Sequence, residues 1–210
     1  EMCIRDRYII IDPNNIGKSD LYHLAKDIIE AGANTIQLRN KTSNDKEAID
    51  QANLIKKLCN ENNSNFIIND RVDVAIEVQP DGIHLGRDDM DVNECRDIFG
   101  DNFIIGNSNA TTQEAFLSSK LKINYIAIGS LFETITKKDT IPSSINVIRD
   151  LKDTKFNLPV VAIGGINKER APSVLESGAD SLCISSAVTL AKNPKKEVLE
   201  IKKIMKEYGK

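Results

Sequence analysis

Short apolar runs recur along the chain, and most of them end in a polar residue or a glycine. Each run is too short for a helix and is apolar at nearly every position, which is typical of a parallel strand buried on both faces. The runs are Tyr8–Asp12, Thr35–Arg39, Asn65–Asn69, Gly82–Leu85, Phe103–Ile105, Tyr125–Ile128, Val160–Ile163 and Ser181–Ile184. We therefore predict eight buried strands.

Amphipathic stretches of helical period separate most of these runs. The first two carry apolar residues at Leu21, Leu24, Ile28 and Ile29, and at Ala48, Ile49, Ala52, Ile55 and Leu58. Strand–helix alternation repeated eight times predicts an α/β protein with the (β/α)₈ TIM barrel fold in a single domain. The competing fold, a doubly wound open sheet, would place a glycine-rich fingerprint after the first strand, and YIIIDPNN contains none.

Two connections resemble each other, EAGANTIQLR before the end of the second strand and ESGADSLCIS before the end of the eighth. Each places a glycine, Gly32 or Gly178, after a helix, where a left-handed turn is expected. The first seven residues show no periodicity. We therefore expect residues 1–7 to be disordered or artefactual, and residues 8–210 to form the barrel domain.

Composition narrows the class of protein. A chain of 210 residues and 23.3 kDa suits one domain with a substantial core. The net charge of −3 does not support nucleic-acid binding, and no apolar run approaches the roughly 20 residues that cross a bilayer. The four cysteines, Cys3, Cys59, Cys95 and Cys183, are scattered. They fit reduced thiols in a cytoplasm better than zinc or disulfides.

Active-site groups of such barrels come from the carboxyl ends of the strands and from the loops that follow them. Asp70 and Asp89 follow neighbouring strands, so their carboxylates can converge and bind Mg²⁺ together with phosphate oxygens and water. Arg39, Lys41 and Lys137 would surround that ion with positive charge, as a departing diphosphate requires. The structural alternative is that Asp70 pairs with Arg71 or Arg39 and that Asp88–Asp89 is a solvated turn. Spacing alone does not choose between Asp88 and Asp89 as the ligand.

A second candidate site follows the last two strands. Gly164–Gly165 would let backbone N–H groups approach an anion, and Ser185–Ser186 would add hydroxyl and backbone donors. The structural alternative is that the glycine pair only permits a tight turn.

The two histidines do not form a nucleophile–base arrangement with any serine or cysteine. His84 lies within a predicted strand and is more consistent with a hydrogen-bonded position in the core or at the mouth of the barrel than with a catalytic base, whereas His23 belongs to the surface of the first helix. The chemistry should therefore depend on electrostatics and positioning.

Seven segments in order, QLRNKT, FIINDRVDVA, DGIHLGRDDM, IGNS, TITKKDT, VVAIGGI and GADSLCISSAV, resemble the thiamine phosphate synthase family from Tyr8 to Ala187. The resemblance implies a Mg²⁺-dependent transferase that acts on small phosphorylated substrates. The residues implied for hydroxymethylpyrimidine diphosphate are Gln37, Arg39, Lys41, Asn69, Ser108 and Lys137. Those implied for the thiazole phosphate are Thr134, Ile135, Thr136, Gly165, Ser185 and Ser186, with Gly164 beside them. Asp70 and Asp89 would bind the metal, which favours Asp89 over Asp88.

In this family diphosphate departs to leave a pyrimidinylmethyl cation, which the thiazole nitrogen attacks. Three positions depart from the family pattern: Arg87 replaces a glutamine, Ala110 ends a segment that is usually Ser-Thr-His, and Glu133 brings an anion near phosphorylated ligands. The alternatives are a thiazole tautomerase-like isomerase and a non-catalytic barrel that binds thiamine precursors. The oligomeric state is not predicted.

Overall fold

The computed structural model describes residues 7–133 and 141–210. Eight parallel strands follow one another around a closed barrel, in which β1 pairs with both β2 and β8. The strands are β1 (Arg7–Ile11), β2 (Thr35–Leu38), β3 (Asn65–Asn69), β4 (Gly82–Leu85), β5 (Ile104–Asn109), β6 (Tyr125–Ile128), β7 (Val160–Ile163) and β8 (Ser181–Ile184). The predicted fold class is confirmed, and five strands have the predicted bounds.

The helices surround the barrel. They are α1 (Leu21–Glu30), α2 (Asp45–Glu61), α3 (Val72–Val78), α4 (Val92–Phe99), α5 (Thr112–Ser118), α6 (Ile145–Asp153), α7 (Ala171–Glu176), α8 (Ser186–Thr189) and α9 (Pro194–Glu207). The N-terminal caps of α1 and α2 are Asp20 and Asn44, whose side chains each accept a hydrogen bond from the backbone N–H of the third residue of the helix. No helix in the described ranges is long and apolar enough to cross a membrane.

The strands differ from prediction mainly at β1 and β5. Strand β1 begins at Arg7, whose Nε donates to the Gly32 carbonyl at 2.6 Å and so ties the strand to the turn before β2. Strand β5 runs to Asn109, well past its predicted end, because Asn107, Ser108 and Asn109 continue the pairing with β6. Because these side chains are polar, the hydrophobic pattern did not predict that β5 continues to the mouth of the barrel.

The two similar connections have the same backbone conformation. Gly32 and Gly178 have φ values of 101° and 102°, in the left-handed region that follows a helix end. The predicted turns are therefore present, and each lets the chain leave a helix and re-enter the barrel.

The core has two parts. The larger part packs the outward-facing strand residues against the helices, and a smaller cluster fills the inside of the barrel. The inner cluster consists of Tyr8, Ile10, Ile67, Tyr125, Ala127, Val161 and Cys183. The inside is therefore packed, and the remaining open space lies above it at the carboxyl ends of the strands.

Candidate active site

A cavity of about 200 Å³ opens at the carboxyl ends of the strands. Eight predicted site residues line it: Gln37, Arg39, Asn69, Ser108, Gly164, Gly165, Ser185 and Ser186. Ile10, Ile163 and Cys183 contribute an apolar part of the wall that the sequence analysis did not assign to the site. The structure thus gathers residues from most of the strands around one space that is part polar and part apolar.

Arg39 is held in place by an aspartate that the sequence analysis did not single out. Asp12 is 3% exposed, and its carboxylate accepts from Arg39 Nη1 at 2.5 Å. The same carboxylate accepts from the backbone N–H of Asn14 and from the side chain of Asn15, both at 3.0 Å. The turn after β1 therefore fixes Asp12, and Asp12 in turn fixes the guanidinium at the cavity. The only sequence signal was an aspartate directly after a buried strand.

Asp70 and Asp89 face each other beside the cavity, as the sequence analysis expected. Burial raises the pKa of Asp89, and a hydrogen bond with Asp70 and the negative charge of Asp70 raise it further. Lys41 forms an ion pair with Asp70, and Asn69 Nδ2 donates to Asp70 at 2.6 Å. Two acidic groups are thus kept close together with a cation and an amide at one side.

Loop geometry separates Asp89 from Asp88. The backbone N–H of Gly86 donates to Asp89 Oδ2 at 2.5 Å, and a Cβ on Gly86 would lie 2.8 Å from that oxygen. Glycine at this position therefore leaves room for the carboxylate to turn inward. Asp88 is exposed and lines the cavity, whereas Asp89 is half-buried and is not among the lining residues.

The structural alternative for Asp70 does not hold. Arg71 forms its ion pairs with Asp45 and Asp73, each at 2.6 Å, and Arg39 pairs with Asp12. Asp70 itself has a φ of 60°, a left-handed conformation that is uncommon outside glycine and that Asp and Asn tolerate best.

The glycine pair after β7 is required by packing as well as by its place at the cavity. A Cβ on Gly164 would overlap Ser130 Oγ, and one on Gly165 would lie 2.6 Å from the carbonyl oxygen of Glu133. The loop after β6 therefore packs directly on the loop after β7. Both explanations of the pair, a close turn and a ligand-facing backbone, are compatible with this geometry.

A chain of buried hydrogen bonds runs below the cavity. Gln37 Nε2 donates to the Tyr8 hydroxyl at 2.6 Å, and the Tyr8 and Tyr125 hydroxyl oxygens are 2.8 Å apart. His84 has one ring nitrogen 3.0 Å from Tyr125 Oη and the other 2.9 Å from Ser108 Oγ. His84 is buried and hydrogen-bonded and also lines the cavity, which agrees with a position at the mouth of the barrel, and His23 is exposed beside Asp20.

Two of the three departures from the family pattern, Arg87 and Ala110, share a hydrogen-bond partner, Glu114. Arg87 Nη2 lies 2.6 Å from Glu114, and the other carboxylate oxygen of Glu114 accepts from the backbone N–H of Ala110 at 2.6 Å. Glu114 also completes a capping box with Thr111, so Arg87 is attached to the start of α5. Glu133 is exposed and is not among the residues that line the cavity.

Four predicted site residues, Thr134, Ile135, Thr136 and Lys137, lie outside the described residues. In the described ranges no group of three or more His, Cys, Asp or Glu side chains could by itself hold a metal ion. A metal at Asp70 and Asp89 would therefore need further oxygen ligands from a substrate or from water.

The fold and the cavity define the class: a (β/α)₈ barrel whose ligand-facing groups lie at the carboxyl ends of its strands, where enzymes of this architecture hold their substrates. The family model for thiamine monophosphate synthase matches residues 7–188. The chain belongs to the thiamine monophosphate synthase family.

The sequences of known relatives match this chain over most of its length. The thiamine-phosphate synthase of Methanosarcina barkeri is 42% identical over 193 residues, which cover 91% of this chain and 86% of that protein. The corresponding protein of Persephonella marina is 36% identical over 96% of both chains. The solved structure of thiamine phosphate pyrophosphorylase from Pyrococcus furiosus has a TM-score of 0.88 and 33% identity, and covers 97% of this chain and 96% of that one.

Proposed function

We propose that this protein is a thiamine-phosphate synthase, which joins hydroxymethylpyrimidine diphosphate to a thiazole phosphate. The C–O bond between the pyrimidine methylene and the diphosphate breaks, a C–N bond to the thiazole nitrogen forms, and pyrophosphate leaves with the bonding electrons. The observation that supports this reaction best is that one cavity collects Gln37, Arg39, Asn69 and Ser108, which lie on or directly after β2, β3 and β5, together with glycines and serines after β7 and β8. The family match extends over the same strands.

The residues at the carboxylate pair fit a magnesium ion. Asp70 and Asp89 are held together although burial and mutual repulsion raise the pKa of Asp89, and a divalent cation would relieve that repulsion. Two carboxylates plus diphosphate oxygens and water form a common Mg²⁺ environment. When bound, the ion would neutralise charge on the departing diphosphate.

The protein's own contribution in this proposal is positioning and charge. Arg39, oriented by Asp12, and Lys41, beside Asp70, supply cations where negative charge develops on the leaving group. The thiazole nitrogen has no proton to lose, so no general base is needed. This agrees with His84, whose two ring nitrogens are both within hydrogen-bond distance of other side chains.

We propose that the thiazole phosphate binds at the opposite side of the cavity. Gly165 brings a backbone without a side chain to the cavity, and Ser185 and Ser186 offer hydroxyl groups at the end of β8. Holding the two substrates on opposite walls would bring the nitrogen and the methylene carbon together, and such positioning is worth several orders of magnitude in rate. A reducing cytoplasm is the compartment that we propose, because Cys59, Cys95 and Cys183 are buried free thiols.

The direct experiment is to incubate the purified protein with both phosphorylated precursors, with and without Mg²⁺, and to measure pyrophosphate and thiamine phosphate. We expect both products in equal amounts, and only with Mg²⁺. Tight binding of the precursors without product would identify a non-catalytic binder. Isomerisation of the thiazole alone would identify a tautomerase.

The Asp12 contact gives a prediction about positioning. Asp12→Ala and Asp12→Asn should each lower kcat/KM by about 10- to 100-fold, because Arg39 loses the charge that orients it. Asparagine can still accept from the Asn14 N–H, so only the alanine variant should also lose stability. Steady-state kinetics and thermal unfolding of both variants measure the two effects. Unchanged kinetics in both would remove Asp12 from the site.

Asp89→Asn should stabilise the metal-free protein while it inactivates the enzyme. The raised pKa means that ionised Asp89 disfavours the folded state above its ordinary pKa of 3.8, and this penalty disappears in acid. The asparagine oxygen can still accept from the Gly86 N–H, and its amide can donate to Asp70. We expect the melting temperature to rise by about 2 °C near pH 7 without metal.

Thermal unfolding of the wild type and of Asp89→Asn over a range of pH tests whether the substitution raises the melting temperature. The difference in melting temperature should shrink as the pH falls through 3.8, because wild-type Asp89 is neutral in both states only below that value. A lower melting temperature for the variant at neutral pH would contradict the repulsion between Asp70 and Asp89.

A further inference from the structure

Five buried or half-buried side chains from five strands form one continuous chain across the inside of the barrel. In order they are Gln37 (β2), Tyr8 (β1), Tyr125 (β6), His84 (β4) and Ser108 (β5), with successive separations of 2.6, 2.8, 3.0 and 2.9 Å. Its two ends, Gln37 and Ser108, line the cavity, as does His84, whereas the two tyrosines do not. The chain therefore connects two ligand-facing groups through the protein interior.

Each tyrosine in the chain has a single hydrogen to donate. Burial raises the pKa of Tyr8 and of Tyr125 well above the ordinary value for tyrosine, so both remain protonated. A hydroxyl oxygen can accept more than one hydrogen bond, so the direction follows from the requirement that every buried hydroxyl hydrogen has an acceptor. With Gln37 Nε2 donating to Tyr8, this requirement makes Tyr8 the donor to Tyr125 and Tyr125 the donor to His84 Nδ1. Neutral His84 then carries its proton on Nε2 and donates to Ser108 Oγ. Reversing any one bond would require reversing the others.

The direction of the chain determines what its ends present to a ligand. With Gln37 Nε2 directed to Tyr8, the remaining amide atom for the cavity is the Oε1 acceptor. With Ser108 Oγ accepting from His84, the serine hydroxyl hydrogen remains for the cavity. One end thus accepts and the other donates. The opposite direction would exchange these two roles.

Packing holds the middle of the chain in place. The rings of His84 and Tyr125 stack with centroids 5.6 Å apart, and Tyr8 meets Tyr125 edge to face at 6.0 Å. Gly106 is paired with Tyr125 in the barrel, and any side chain there would overlap the phenol ring. The tyrosines are 1% and 0% exposed, so bulk water does not compete for their hydroxyl groups.

We propose that Tyr8, Tyr125 and His84 are positioning residues that fix the polarity of Gln37 and Ser108 and thereby select an aminopyrimidine over an oxopyrimidine. An exocyclic amino group would donate to Gln37 Oε1, and an acceptor on the ligand would receive the Ser108 hydroxyl. A ring that carries an oxo group in place of the amine presents an acceptor to an acceptor. A site built on hydrogen bonds rejects such a mismatch strongly. This selectivity rests on the proposed function, whereas the direction of the chain does not.

The direction can be measured without substrate. Nitrogen-15 NMR of the labelled protein reports which ring nitrogen of each histidine carries the proton, and a His23→Gln variant assigns the His84 signals. We expect His84 to be the Nε2–H tautomer at neutral pH. An Nδ1–H tautomer would overturn the proposal, whatever the enzyme does.

The selectivity is measured as the ratio of kcat/KM for the amino substrate to that for its oxo analogue. We expect a ratio of at least about 100 in the wild type and at least a tenfold smaller ratio in Tyr125→Phe, which breaks the chain without changing charge. Tyr8→Phe is the second variant should Tyr125→Phe not fold. Tyr208→Phe is the matched control, since it removes a hydroxyl that bonds to Glu176 on the surface and should leave the ratio unchanged.

The outcomes separate the two proposals. A purely structural role for the tyrosines would lower the rates for both rings alike and leave their ratio as in the wild type, which would overturn the inference. If the wild type forms no product from either ring, the proposed function fails, and the histidine tautomer still decides the direction of the chain.

Discussion

Asp70→Ala is expected to lower magnesium-dependent kcat/KM by a factor of about 10³. The substitution removes one of the two carboxylates that face each other beside the cavity, and it leaves Lys41 without its ion-pair partner. Asn69, which lines the cavity, also loses the nearer of the two acceptors of its side-chain amide and keeps the His84 carbonyl at 3.3 Å. Steady-state kinetics over a range of Mg²⁺ concentrations measure the effect.

Two further variants make this result interpretable. Asp70 has a φ of 60°, which alanine tolerates poorly and asparagine well, so Asp70→Asn separates loss of the charge from backbone strain. Asp73→Ala is the matched control, because it removes a carboxylate that pairs with Arg71 on the surface three residues away. We expect Asp70→Asn to be nearly as inactive as Asp70→Ala and Asp73→Ala to be active. Full turnover by the folded Asp70→Ala protein would refute the metal assignment.

Gly106→Ala is expected to lower the free energy of unfolding by about 3 kcal/mol. The added methyl group would overlap the Tyr125 ring, which is fully buried inside the barrel and has packed neighbours on its other sides. For a chain of this size such a loss corresponds to a fall of roughly 6–12 °C in melting temperature. Chemical and thermal unfolding measure it.

The control for this prediction is Gly100→Ala. Gly100 has a φ of 77° and open space around its Cβ position, so its substitution isolates the cost of a left-handed backbone, about 1 kcal/mol. Combining Gly106→Ala with Tyr125→Leu should recover part of the lost stability, because the smaller side chain leaves room for the methyl group. A Gly106→Ala protein as stable as the wild type would show that the barrel interior can rearrange around Tyr125.

The local pattern of apolar residues was enough to predict most of the strands of the barrel. The β-branched runs at Asn65–Asn69 and Val160–Ile163 have the same bounds in the sequence and in the structure, because a strand buried on both faces is marked by its own apolar residues. Strand β5 was underestimated because Asn107 and Ser108 are polar, and only pairing with β6 makes them part of a strand. The capping box of Thr111 and Glu114 was visible in the sequence and was not used.

The candidate site likewise has a part that the sequence predicted and a part that only the tertiary structure decided. Because strand ends of a barrel meet at one mouth, the sequence alone placed Gln37, Arg39 and Ser108 near the glycines and serines after β7 and β8. The orientation of Arg39 by Asp12, the turn of Asp89 towards Asp70, and the chain through Tyr8, Tyr125 and His84 were decided by the tertiary structure. These contacts join strands that are up to 117 residues apart, and their geometry depends on the register and closure of the barrel rather than on any local run of residues.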